Sequence, residues 1–197
     1  KNVKKNLKIV CKKIGCAEKN LFLLHQIHSN KFIFIDKKFS NKKKIMGDAL
    51  ITKNKKTALG VLTADCVPIL IYDQKLKIIS AIHAGWKGAY KGIINKVIKF
   101  LIKKGSNPKN ISAVVGPCIA QKNYEVQKDF KDKFLKKDKK NIIYFKRIKN
   151  KTYFSLNNYV YNQLREKGIK NVDIIYKDTF NKRNNFFSAR RSSFNSE

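Results

Sequence analysis

The sequence predicts an α+β domain in which mixed, largely antiparallel sheets are flanked by helices in a layered sandwich. Two observations lead there. Short apolar runs alternate irregularly with segments of helical periodicity, so hairpins are mixed with strand–helix units. The apolar runs are nearly continuous rather than alternating, as in strands covered on both faces. A length of 197 residues suits a single domain, 1–197, with a substantial core, and no internal repeat breaks it.

The elements follow in order. Val3, Leu7, Val10 and Ile14 recur at helical spacing, so a helix is expected over about 3–14, stopped by Gly15. The runs 21–26 and 31–36 read as strands joined by a short turn at His28-Ser29-Asn30. A Lys-rich loop is expected at 39–44, then strands at 48–52 and 58–63. The runs 67–73 and 77–83 form a hairpin around Gln74-Lys75. A glycine-bearing turn, 83–88, leads to a helix over 89–104. A strand at 111–116, a helix at 124–137, and a hairpin from 142–147 and 152–156 come next. A helix at 157–168, a strand at 172–177 and an aromatic-basic segment at 184–191 complete the chain.

Composition narrows the function. The formal charge is +32, yet only five of the 45 basic residues are Arg, and the Lys are spread along the whole chain. Nucleic-acid readers rely on Arg for bidentate contacts, so no specific nucleic-acid partner is expected, only non-specific attraction of polyanions at low salt. No apolar run approaches the length of a membrane span, and the first residues carry no secretory apolar core. The chain lacks an initiator Met and reads as a processed product or a fragment. Cys11, Cys16, Cys66 and Cys118 include no CxxC pair, and Cys11 and Cys16 read as packing residues of the first helix. Reduced thiols and a cytoplasmic location are expected.

Three segments place reactive residues at strand ends: 26–30, 63–66 and 83–88. Cys66 follows Asp65 between apolar strands, and His83 closes a strand before a Gly turn. Each alone reads as core, but the 67–83 hairpin would bring the two together. A thiolate beside an imidazole means a metal site or a Cys–His nucleophile pair. Of the remaining histidines, His25 sits within a strand and His28 in a turn free to point inward, which favours His28. Two imidazoles and a thiolate leave a fourth position open, as in catalytic zinc, while the sulfur also admits copper. The turn after His83 could present backbone N–H groups and Lys87 to an anion. Gly116-Pro117-Cys118 could line the same cleft, and Arg190 and Arg191 could hold an anion.

At these residues the chain resembles the laccase-domain family, also described as multicopper polyphenol oxidases and as multifunctional purine nucleoside enzymes. The matching segments are QIHS (26–29), GDALIT (47–52), VLTADCVPILIYD with IISAIHAGWKG (61–73, 78–88), VGPCIAQKNYEV (115–126) and FFSARR (186–191). The resemblance implies a site of His28, Cys66 and His83, holding zinc or, in some members, copper. It implies phosphorolysis of adenosine, inosine and methylthioadenosine, and adenosine deamination. The partners would be a purine nucleoside and phosphate, in a monomer or homodimer. It places Asp65 with Cys66 and His83 as catalytic, Asp65 being a general acid or base or a partner orienting His83. Asp48, Lys87, Cys118, Thr179 and Arg190 would bind substrate. Asp178 stands where the family has Cys, and Ala189 where it has an aromatic, which bears on substrate preference. A Gly-rich N-terminal segment and a strand after the Arg pair are also implied and not found in 1–197. Competing readings are a metal-free Cys66–His83 hydrolase, a copper phenol oxidase, for which one His₂Cys set is poor, and a basic polyanion-binding module.

Overall fold

A computed structural model describes residues 2–36 and 45–194. The loop expected at 39–44 lies outside the described residues. The chain forms α1 (Asn2–Lys13), β1 (Leu21–Phe22), β2 (Phe32–Ile35), β3 (Ala49–Thr52), β4 (Ala58–Leu59), β5 (Val67–Asp73), β6 (Ile78–Ala84), α2 (Trp86–Tyr90) and α3 (Ile93–Lys103). Then come β7 (Ile111–Val115), β8 (Glu125–Val126), α4 (Lys128–Lys137), β9 (Phe145–Ile148), β10 (Lys151–Phe154), α5 (Leu156–Glu166), β11 (Asn171–Ile174) and α6 (Ala189–Phe194). This is the α+β class expected. No helix among the described residues is long and apolar enough to cross a membrane.

A six-stranded sheet in the order β11-β7-β5-β6-β3-β2 forms the frame. Its inner pairs are antiparallel, and the two edge pairs, β11 with β7 and β2 with β3, are parallel. The hairpin of β5 and β6 sets Pro68 opposite His83. Pairing of β3 with β6 sets Ala49 opposite Ile82, and the His83 N–H donates to the Asp48 carbonyl at 2.7 Å. Three residues distant in sequence, Asp48, Cys66 and His83, therefore meet at one end of the sheet.

Helical periodicity supplies the cover. In α3, Ile93, Ile94, Val97, Ile98 and Leu101 are buried, one continuous stripe. This helix packs against β2 and β6, and α5 packs against β5, β7 and β11. On its other face β5 carries Leu70 and Tyr72, 55% and 40% exposed, so the expected cover on both faces is incomplete there. An aromatic cluster joins α4 and α5 to the small sheet β8-β10-β9. Phe134, fully buried, lies 4.8 Å from Phe130, 4.9 Å from Phe154 and 5.2 Å from Tyr159 between ring centroids.

Several elements differ from expectation. Residues 21–26 and 31–36 do not pair with one another: β1 pairs with β4 in a separate parallel sheet, and β2 with β3. Beyond these two short strands the Gln26 side chain bridges the same two segments, donating to the Leu62 carbonyl and accepting from the Leu62 N–H, both at 2.7 Å. Helix already begins at Trp86, and Gly92 at φ 82°, a conformation other residues rarely adopt, separates α2 from α3. The segment 124–137 opens as strand β8 before turning into α4. Cys11 is buried in α1 as expected, whereas Cys16 lies beyond its end and is half-buried.

Truncating the centre of the aromatic cluster should be costly, because a cavity adds to the lost burial. Phe134→Ala is expected to lower unfolding free energy by about 3–5 kcal/mol in denaturant titration. A loss below about 1 kcal/mol would mean that the cluster does not carry this part of the core.

Candidate metal centre

His28, Cys66 and His83 converge. One ligand atom from each lies within 4.8 Å of the others, a group able to hold a metal ion. The Cys66 Sγ is 3.8 Å from His28 Nε2, and the two imidazoles meet edge to face at 4.8 Å between centroids. His83 is buried, Cys66 half-buried and His28 exposed, so the group opens to solvent on the His28 side. His25, the alternative third ligand, is exposed and paired by backbone to the 45–47 segment.

Asp48 builds this geometry. Its carboxylate is fully buried and accepts four hydrogen bonds. Oδ1 takes the His28 N–H at 2.9 Å and His83 Nδ1–H at 2.8 Å; Oδ2 takes the Ser29 N–H and hydroxyl, both at 2.6 Å. A carboxylate can only accept, so the His83 proton sits on Nδ1 and Nε2 is left for a metal. The same bonds hold His28 in a left-handed conformation, φ 54°, which turns its ring toward Cys66. Burial would raise the Asp48 pKa, but the hydrogen bonds from Ser29 and His83 bring it below the ordinary value. Burial lowers the His83 imidazole, with His28 adding to that effect, so His83 is neutral at neutral pH. Burial and then the Asp65 and Asp48 carboxylates push the Cys66 thiol up to about 11.

Gly85 closes the group. A Cβ there would lie 2.8 Å from Cys66 Sγ and 3.0 Å from His28 Cδ2. Only a residue without a side chain allows sulfur and imidazole to approach this far.

Asp65 does not touch His83. It stands at φ 83° and turns its carboxylate into the C-terminal segment. There it accepts from Thr179 Oγ1 at 2.6 Å, Ser188 Oγ at 2.9 Å and the Arg190 N–H at 2.7 Å. The carboxylate bonded to His83 is that of Asp48, which the resemblance assigns to substrate and which is fully buried here. Thr179 and Cys118 are buried beside Asp65, linked by Thr179 N–H to the Cys118 carbonyl at 3.0 Å. Lys87 is exposed, its ammonium 5.7 Å from the Trp86 ring centre. Arg191 donates to the carbonyls of Thr179, Phe180 and Phe186, and so fastens the chain rather than an anion. Asp178 accepts from the Ala120 and Phe180 N–H groups and Asn123 Nδ2, securing the loop at 120–123. Ser29 and Gly85 escaped the sequence reading; QIHS and HAGWKG contain them, but nothing in their spacing gives them a role.

Residues 1–196 match the family described as multi-copper polyphenol oxidoreductase laccase. The chain is 38% identical over 175 residues to a purine nucleoside phosphorylase of Rickettsia prowazekii, covering 88% of this chain and 71% of that protein. It is 37% identical over 164 residues to a purine nucleoside phosphorylase of Aquifex aeolicus, covering 83% and 73%. Among solved structures, the hypothetical protein YfiH of Bacillus licheniformis superposes with a TM-score of 0.88 at 27% identity, over 96% of this chain and 75% of that one. YlmD from Geobacillus stearothermophilus shares the fold, with a TM-score of 0.86 at 20% identity over 95% and 74%.

Two outcomes are expected of the metal group. Gly85→Ala should weaken zinc binding by about 10- to 100-fold in competition titration, because the methyl group displaces two ligands at once; unchanged affinity would show that the ligands do not need this approach. A thiol with a pKa of about 11 keeps its proton at neutral pH, so a metal must displace it. Zinc affinity should therefore rise about tenfold per pH unit between pH 7 and 9, with about one proton released per ion by calorimetry in different buffers. A flat affinity over that range would contradict ligation by Cys66.

Proposed function

The chain belongs to the multi-copper polyphenol oxidoreductase laccase family, and we propose that within it this protein is a zinc-dependent purine nucleoside phosphorylase that also deaminates adenosine. Adenosine, inosine and methylthioadenosine with phosphate are its substrates, and base and ribose 1-phosphate its products. The observation that carries this reading is the solvent-facing group of His28, Cys66 and His83, in a chain similar along most of its length to proteins named purine nucleoside phosphorylases. A set of three protein ligands open on one side is the arrangement of catalytic zinc. The cytoplasm suits the free thiols of Cys11, Cys16, Cys66 and Cys118.

When bound, zinc would supply Lewis acidity at the open side of this group. His28, Cys66 and His83 hold it, and Asp48 fixes the ring nitrogen that His83 offers. Asp65 acts as a positioning residue, since its oxygens are occupied by Thr179, Ser188 and Arg190. In phosphorolysis a phosphate oxygen bonds to the ribose carbon while the bond to the purine nitrogen breaks. The electron pair leaves with the base, which then takes a proton. A neutral His83 and a thiol with a pKa near 11 do not form a ready thiolate–imidazolium pair, which weighs against a Cys66–His83 hydrolase.

Purified protein is expected to carry about one zinc equivalent and to convert inosine plus phosphate to hypoxanthine. Cys66→Ala should lose both metal and turnover. Full activity after complete metal removal would sink the zinc mechanism, and oxygen uptake with bound copper would point to phenol oxidation instead.

A further inference from the structure

A cleft of about 520 Å³ is lined by Trp86, Tyr124, Phe130 and Arg190, with Glu125 and Asp129 among its other residues. Two backbone links tie it to the candidate metal group. Trp86 follows Gly85, which touches Cys66 and His28, and the Arg190 N–H is held by Asp65, the neighbour of Cys66.

The walls of the cleft are rigid and flat. The Arg190 guanidinium lies 5.3 Å from the Tyr124 ring centre and donates to the Glu125 carbonyl at 3.0 Å. Phe130 buttresses both rings, 6.3 Å from Tyr124 and 4.9 Å from Trp86. The Tyr124 hydroxyl makes no hydrogen bond among the described residues. π faces and a stacked guanidinium suit a planar heteroaromatic ring, because every nucleobase presents a π face. The ammonium groups of Lys87 and Lys133 lie 5.7 and 5.5 Å from the Trp86 ring centre, at the margin of these walls. Arg190 is already engaged with a ring and a carbonyl, Glu125 is paired with the Lys151 ammonium at 2.9 Å, and the Asp129 carboxylate repels an anion but can accept from base N–H groups.

We propose that this cleft seats the purine base of the nucleoside between Trp86 and the Arg190-capped Tyr124, with the ribose directed toward the metal group. The identity of the base rests on the phosphorylase reading; the preference for a flat ring rests on the aromatic walls.

Trp86 is the one tryptophan of the chain, so its emission reports on this cleft. Titration of the zinc-loaded protein with hypoxanthine or adenine is expected to quench it saturably, and methyl ribofuranoside to leave it unchanged. Tyr124→Ala should raise the KM for inosine about tenfold, the scale of one lost base–aromatic stack, with kcat changed less and zinc content kept. An active enzyme whose Trp86 emission ignores both bases, or whose KM ignores Tyr124→Ala, would overturn the cleft and leave phosphorolysis standing. Saturable quenching by bases in a protein that turns over no nucleoside would support the cleft and overturn the phosphorylase reading. If Tyr124→Ala does not fold, the wild-type titration decides alone.

Discussion

The buried carboxylate of Asp48 is the constraint on which the metal group depends. A carboxylate enclosed this completely is costly unless its lone pairs are filled, and here four donors fill them. Hydrogen bonds to a charged group contribute about 1.5–3 kcal/mol each, which offsets burial and the backbone strain at His28. Two of the four donors belong to the histidines that face Cys66. One carboxylate thus fixes the tautomer of His83 and the backbone of His28.

Asp65 plays the matching part on the other side of Cys66. Its three donors come from residues 179, 188 and 190, so it ties the last described segment to the sheet end. The positive φ of Asp65 is held in place by those bonds. Through the Arg190 backbone the same carboxylate sets one wall of the aromatic cleft. Two acids flank the thiol, one arranging the candidate metal ligands and the other one wall of the aromatic cleft. Asp48 accepts four hydrogen bonds and Asp65 three, so each is bound closely to the residues it holds.

Much of this was legible in the sequence. The β5–β6 hairpin, with its turn at Gln74-Lys75 and its long apolar runs, correctly implied that Cys66 and His83 meet. His28 was separable from His25 because it falls in a turn. The role of Asp48 was not legible, because it depends on β3 pairing with β6, strands more than 20 residues apart whose order nothing local specifies. The partners of Asp65 were hidden for a related reason: they lie more than 110 residues away in sequence. The supposed hairpin at 21–36 shows the limit of strand propensity, since the Gln26 side chain replaces a ladder that the apolar pattern alone would extend. The aromatic cleft was hidden because Trp86, Tyr124 and Arg190 come from three segments and each reads singly as packing or as a surface charge.

The most direct test of this account is the zinc affinity of Asp48→Asn beside the wild type, measured by competition with a chromophoric chelator at constant pH. The variant keeps the volume of the side chain but turns an amide N–H₂ toward donors. The expected result is a 10- to 100-fold loss of affinity, about the scale of losing a hydrogen-bonded partner of a ligating histidine, with the fold retained by circular dichroism. A folded variant that binds zinc as tightly as the wild type would contradict the claim that Asp48 assembles the site.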